Sequence, residues 1–240
     1  MEKEAAIVRE GVSISSGYSG YIRSIDYEQL MKIAKQNNLM ISVVCTTGDF
    51  IGPGDTLLFA SPKTPYQGFV NEVQDCFMLG KYRTMLQDPE FGITQLVNIV
   101  ARSANNDPSI PVMVLNQLGV ALGFSAERGN LSPYRQDSTG TLRMKLKIRS
   151  FDMLMIASFD LIRYYTPDNT HIISSMLNTI GRIANHARSD EIREILLHHA
   201  MLIKDESLLK ISSEHDRQII GQSYDTTVTA IGLSPGGLSL

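Results

Sequence analysis

The chain has no tryptophan, only two cysteines, and few aromatic residues, 7% of 240. Two cysteines exclude a disulfide-rich scaffold. Neither charge sign dominates. Lys and Arg number 22 against 25 Asp and Glu, for a net charge of −3. That balance supplies no global attraction to nucleic acid. No uninterrupted apolar run approaches the roughly 18 residues that a bilayer span needs. The first residues, MEKEAAIVREG, are charged and unlike a signal peptide. The chain also lacks G-x-S-x-G, P-loop, G-x-G-x-x-G and H-E-x-x-H signatures. What is present is ordinary: 43% hydrophobic and 20% charged residues, enough to close a sizeable core in one large domain or two modest ones. These features describe a soluble folded chain of a reducing compartment, with no activity named by a motif.

The pattern predicts an α+β protein. A small β-rich module is expected over 10–62, a mostly helical body over 66–232, and a flexible tail over 233–240. Within the module, Gly20 to Ile25 partly alternates as a strand does. Asp26 is placed to cap a short helix with Leu30, Ile33 and Ala34 on one face. Leu39 to Cys45 and Thr56 to Ala60 read as strands, joined by glycine turn chemistry at Gly48 to Asp55. That turn looks like half of a biotinyl- or lipoyl-type barrel, so the module is read as barrel- or hammerhead-like. No lysine sits at a hairpin tip, so no such attachment is expected. Ser61 to Pro65 reads as the linker.

Beyond it the period becomes helical. Residues 111–124 are so apolar that a central position is expected. Thr141 to Arg149 alternates strictly, with Leu142, Met144, Leu146 and Ile148 on one face, predicting one long amphipathic strand. Its outer face, Arg143, Lys145, Lys147 and Arg149, is a membrane-surface candidate. No aromatics interleave these cations, so nucleic acid is not an expected partner. Ser189 and Ser213 are placed to cap two late helices.

Two segments repeat one pattern, an Asp-Pro before an amphipathic helix: Asp88-Pro89-Glu90 and Asn106-Asp107-Pro108. Asp then Pro is the expected N-cap and N1 pair. The sharper alternative gathers both helix N-termini with Arg83 into a shared polar site. Exposed N–H groups and a guanidinium suit an anion, whereas Asp88, Glu90 and Asp107 suit a hard cation. Asp160 and Arg163 lie three apart on an otherwise apolar helix. They either pair locally or tie Arg163 to a capping carboxylate. Glu194 and His198 share a helix face without a third ligand at a telling distance. His199 falls on an apolar stripe, as do Cys45 and Cys76, and all three read as buried side chains. No metal or other cofactor is expected.

The residues Ser19-Gly20-Tyr21, Gly48-Asp49-Phe50, Arg83-Thr84, Gln87 to Ile93, Asn106-Asp107-Pro108 and Phe159-Asp160 with Ile162-Arg163 resemble, in that order, a family of bacterial predicted membrane proteins, domain of unknown function 2254. The resemblance covers roughly residues 15–170. It departs from the family around Arg102 to Asn105 and Ser109 to Pro111. It implies a longer parent with N-terminal transmembrane segments that this chain lacks, a membrane-associated location through that parent, and a cytoplasmic side for this domain. The family brings no known activity. The resulting expectation is a soluble, non-enzymatic domain for self-association or for sensing a ligand or partner, with a homo-oligomer as the expected assembly. Arg83, Asp88, Glu90, Asn106, Asp107, Asp160 and Arg163 form its candidate polar cluster. The alternative expectation is a metal-assisted hydrolase built on Asp88, Glu90 and Asp107, with His171 as a further ligand.

Overall fold

The computed structural model describes residues 11–62, 66–104 and 107–232. Asn106 and the tail at 233–240 lie outside the described residues. The chain divides into two compact units. One comprises 1–91 and 132–148, the other 92–131 and 149–240. The architecture is α+β, as the pattern predicted.

The first unit holds two sheets. Its strands are β1 (Val12–Ser15), β2 (Gly20–Ile25), β3 (Met40–Val43), β4 (Phe50–Ile51), β5 (Thr56–Ser61), β6 (Phe77–Gly80), β7 (Tyr134–Gln136) and β8 (Leu142–Lys145). The larger sheet runs β1-β5-β3-β8-β7 and the smaller runs β4-β2-β6. Two helices accompany them, α1 (Tyr27–Gln36) and α2 (Phe69–Gln74). Asp26 caps α1 as expected, its carboxylate accepting from Gln29 N–H at 2.8 Å. Leu30, Ile33 and Ala34 of α1 join Ile41, Leu58 and Met144 in one apolar core. The sequence reading had grouped residues 66–91 and 132–148 with the helical body. In the structure, β6 pairs antiparallel with β2, and β8 returns to lie parallel with β3, Ile41 opposite Met144.

The long strand expected over 141–149 is shorter than its alternation suggested. The ladder covers only Leu142–Lys145. On the β3 side the register ends with Ser42 opposite Lys145. The Leu146 N–H instead donates to Pro133 O at 2.8 Å. Alternation reports which side chains face a core; it does not report how long a neighbouring strand runs.

The second unit is helical: α3 (Pro89–Ser103), whose first turn belongs to the first unit, α4 (Ser109–Arg128), α5 (Phe151–Tyr165), α6 (Thr170–Ala184), α7 (Asp190–Lys210) and α8 (Glu214–Ile231). Its core runs from Ile93 to Ile231. The central helix is α6, which packs against α4, α7 and α8. The apolar segment 111–124 was expected at the centre, yet α4 buries one face only and leaves Met113, Val120 and Phe124 about 60% exposed (59%, 60% and 65%). An absence of charge permits burial without requiring it. Close approach of α4 to α6 is allowed by Gly119, where a Cβ would stand 3.0 Å from Thr179 Cγ2.

His199 is buried on α7, and its Nε2 lies 3.1 Å from Asp152 Oδ1 on α5. Burial pushes its pKa below the ordinary value, partly opposed by Asp152 and more weakly by Asp160, with His198 adding to the depression. A depressed histidine contributes stability above its unfolded pKa of about 6.5. That contribution is lost as pH falls through the lower native value. Unfolding free energy should therefore decline as pH falls below about 6.5, and His199→Gln should flatten that slope in urea titrations at several pH values. A second prediction concerns the returning strand. Met144→Ala should destabilise the protein by about 2–5 kcal/mol, whereas Lys145→Ala on the outward face should change denaturant stability by less than about 0.5 kcal/mol.

Candidate functional site

The motif residues of the first unit converge on one carboxylate. Asp88 is 3% exposed. Arg83 grips it with two bonds, Nε to Oδ2 at 2.8 Å and Nη2 to Oδ1 at 3.0 Å. Oδ1 also accepts from Phe91 N–H at 3.0 Å, which caps the N-terminus of α3. The Arg83 guanidinium lies 5.3 Å from the Phe91 ring centroid, a distance at which cation and ring attract. Both carboxylate oxygens are thus committed within the protein. The N-cap reading of Asp88-Pro89 holds, and Arg83 is added to it.

The glycine turn closes over this pair. Gly48 has φ +88, and a Cβ there would meet Asp88 Oδ2 at 2.3 Å and Arg83 Nη2 at 2.8 Å. Only glycine satisfies both the positive φ and the close approach. The neighbouring bonds are regular. Thr47 Oγ1 donates to Gln87 O at 2.7 Å, Ile25 N–H donates to Gln87 Oε1 at 3.2 Å, and Gly48 N–H donates to Ile22 O at 2.8 Å. Thr47 and Gln87 were not among the predicted site residues. Gln87 stood in the resembling motif, but a backbone bond to Ile25, 62 positions away, has no local signature.

The other expected members fall elsewhere. Glu90 sits in the first turn of α3, where a carboxylate suits the helix dipole. In the second unit, Asp107 Oδ1 accepts from both the Ser109 N–H and hydroxyl, at 2.9 and 2.6 Å. Those two bonds hold its carboxyl below the ordinary value. Arg163 donates to Asp160 Oδ1 at 3.1 Å and to Glu206 Oε1 at 2.5 Å. The local i, i+3 pair was expected. Glu206 on α7 was not, and it supplies the cross-helix tie that a capping carboxylate had been expected to make. This triad lines a shallow groove of about 470 Å³ with Ile156, Leu161 and Tyr164. Among the described residues, no group of three His, Cys, Asp or Glu side chains is arranged to hold a metal ion.

The basic strand face is matched at close range. Arg143 Nε bonds Asp137 Oδ2 at 2.9 Å and its Nη1 bonds Asn38 Oδ1 at 2.7 Å. Asp137 is pushed below the ordinary carboxylate range, by the Thr139 hydroxyl first and then by Arg143. Lys147 pairs with Asp49 at 2.9 Å, and Lys145 stands 5.8 Å from the Tyr134 ring centroid. Arg149 follows in the second unit, just before the Ser150 cap of α5. The buried thiols are poor nucleophiles. Burial pushes Cys45 up to about 12 and Cys76 up to about 11.

The joint makes a coupled prediction. Asp88→Asn should destabilise by about 2–4 kcal/mol, because it leaves Arg83 without its counter-charge. Gly48→Ala should destabilise by more than about 1 kcal/mol through backbone strain and collision. In an Asp88→Ala background the 2.3 Å collision disappears, while the strain and the approach to the end of the flexible Arg83 side chain remain. A double-mutant cycle in guanidinium should therefore show coupling of about 1 kcal/mol or more; additivity would show that the turn and the ion pair act independently.

The chain is similar in sequence to proteins without a described activity. The family described as "Predicted membrane protein (DUF2254)" matches residues 1–182. Uncharacterized proteins of Mycobacterium bovis and Mycobacterium tuberculosis are each 23% identical over 219 residues, covering 88% of this chain and 42% of theirs. The chain therefore spans less than half the length of the curated relatives it matches. No solved structure matches. One helix among the described residues, α4, is long and apolar enough to cross a membrane by length and composition, with a mean hydropathy of 1.4, although 39% of that window is buried in its unit. By its sequence, the chain belongs to the DUF2254 family of predicted membrane proteins, whose function is unknown.

Proposed function

We propose that this chain is a non-enzymatic domain of a membrane protein, acting by self-association or by sensing a ligand or partner. The parent's membrane segments would hold it at the bilayer, on the cytoplasmic side, and the functional unit would be a homo-oligomer. One observation carries this reading: the charged residues that could do chemistry are already engaged. Asp88 is held by Arg83 and a helix N-terminus, Asp107 by Ser109, and Arg163 by Asp160 and Glu206. The helical unit instead presents large apolar side chains, among them Ile99, Met113, Val120, Phe124, Ile156 and Tyr164. Contiguous exposed apolar surface marks protein, membrane or ligand contact sites.

The metal-assisted hydrolase reading needs carboxylates converging on one ion at about 2.0–2.6 Å. Asp88 already spends both oxygens on protein donors, and no three-residue ligand group is found among the described residues. The membrane-surface reading of Arg143, Lys145, Lys147 and Arg149 is weakened in the same way, since Asp137 and Asp49 already face two of the four.

Size-exclusion chromatography with light scattering tests the leading reading. A mass that rises above 26.6 kDa with loading concentration is expected. A strict monomer up to about millimolar concentration, where a dissociation constant corresponds to only about 4 kcal/mol, would overturn it.

A further inference from the structure

We propose that the outer face of α4 is a homodimer seam, pairing antiparallel with α4 of a second copy through Met113, Gln117, Val120 and Phe124. This deepens the self-association reading and rests on it.

Helix α4 has two faces that differ in kind. Val114, Leu115, Leu118, Leu122 and Ala126 are buried in the helical core. On the opposite side, Met113, Gln117, Val120 and Phe124 are spaced by four, three and four residues and are all exposed. That is the heptad spacing of a two-helix seam. A single uncharged polar residue within such a seam sets register and restricts partners, the part assigned to Gln117. No charged residue occurs from Ser109 to Ala126, so the stripe asks for no oppositely charged partner.

A second copy fits this stripe better than a bilayer. A membrane-surface helix carries Lys and Arg along its polar border to meet headgroups. Here the border is Asn116, Ala121 and Ser125. An antiparallel pairing is self-complementary in three respects. It stacks Phe124 on Met113 of the partner, a favourable sulfur–aromatic contact. It sets Gln117 beside Val120. It also brings the Arg128 end of one helix near the acidic Asp107 end of the other, while the two helix dipoles oppose. A seam of about three turns lies below the roughly 1,200 Å² of a standard interface. The expected dimer is therefore concentration-dependent and adds to whatever proximity the parent provides.

The test uses the 240-residue chain, with Val120→Glu, Phe124→Glu and Phe124→Ala. These positions are exposed in the monomer, so unchanged far-UV circular dichroism and melting are expected. Light scattering should show a wild-type dimer, monomeric glutamate variants, and a dissociation constant raised about tenfold or more by Phe124→Ala. A spin label at Arg128→Cys should report an axial offset of about 28 Å between copies if antiparallel. Adjacent labels would overturn the antiparallel pairing. A wild-type dimer that persists in both glutamate variants would overturn the seam and leave self-association standing. A wild-type monomer at millimolar concentration would overturn both. Co-sedimentation of wild type with phosphatidylcholine–phosphatidylglycerol vesicles, lost in Phe124→Glu, would assign the stripe to a bilayer and overturn the second copy.

Discussion

The Asp88 carboxylate is the constraint on which the first unit's organisation turns. Almost out of water, it has to be neutralised and hydrogen-bonded. Arg83 supplies the charge and a two-pronged donor, and the N-terminus of α3 supplies a third N–H. The same carboxylate therefore ends one segment and starts another. The Gly48 turn lies directly over it, and the Gln87 side chain and backbone reach the Ile25 and Thr47 segments. Four separated stretches of sequence are thereby tied to one point. A residue that resembles a catalytic acid by type has both its oxygens bonded within the protein.

The same economy governs the other charges. Arg163 bridges two helices through Asp160 and Glu206, Arg143 finds Asp137 and Lys147 finds Asp49. Screening by salt matters least for the least exposed of these pairs. In the helical unit, large apolar side chains are exposed beside the charged ones. Helix α4 closes a core with one face, and its other face carries Met113, Val120 and Phe124.

Membership of a family of predicted membrane proteins gives the proposed contact a setting. Proteins held in one membrane meet at raised effective concentration, so a small seam would suffice for assembly.

Local sequence determined a good deal of this protein. The α+β class was legible from alternation and helical period. So were the caps at Asp26, Asp88, Ser189 and Ser213, because a cap is a contact between residues three apart. The Asp160–Arg163 pair was legible for the same reason. The tertiary structure alone decided the rest. The strand at 142–145 joins the first unit's sheet by pairing with β3 on one side and β7 on the other, Ile41 opposite Met144 and Tyr134 opposite Lys145. Arg163 finds Glu206, 43 positions away, and Arg143 finds Asn38, 105 positions away. No periodicity encodes such partners. Residue type and spacing state which groups need a counterpart; packing of distant segments chooses which one they get.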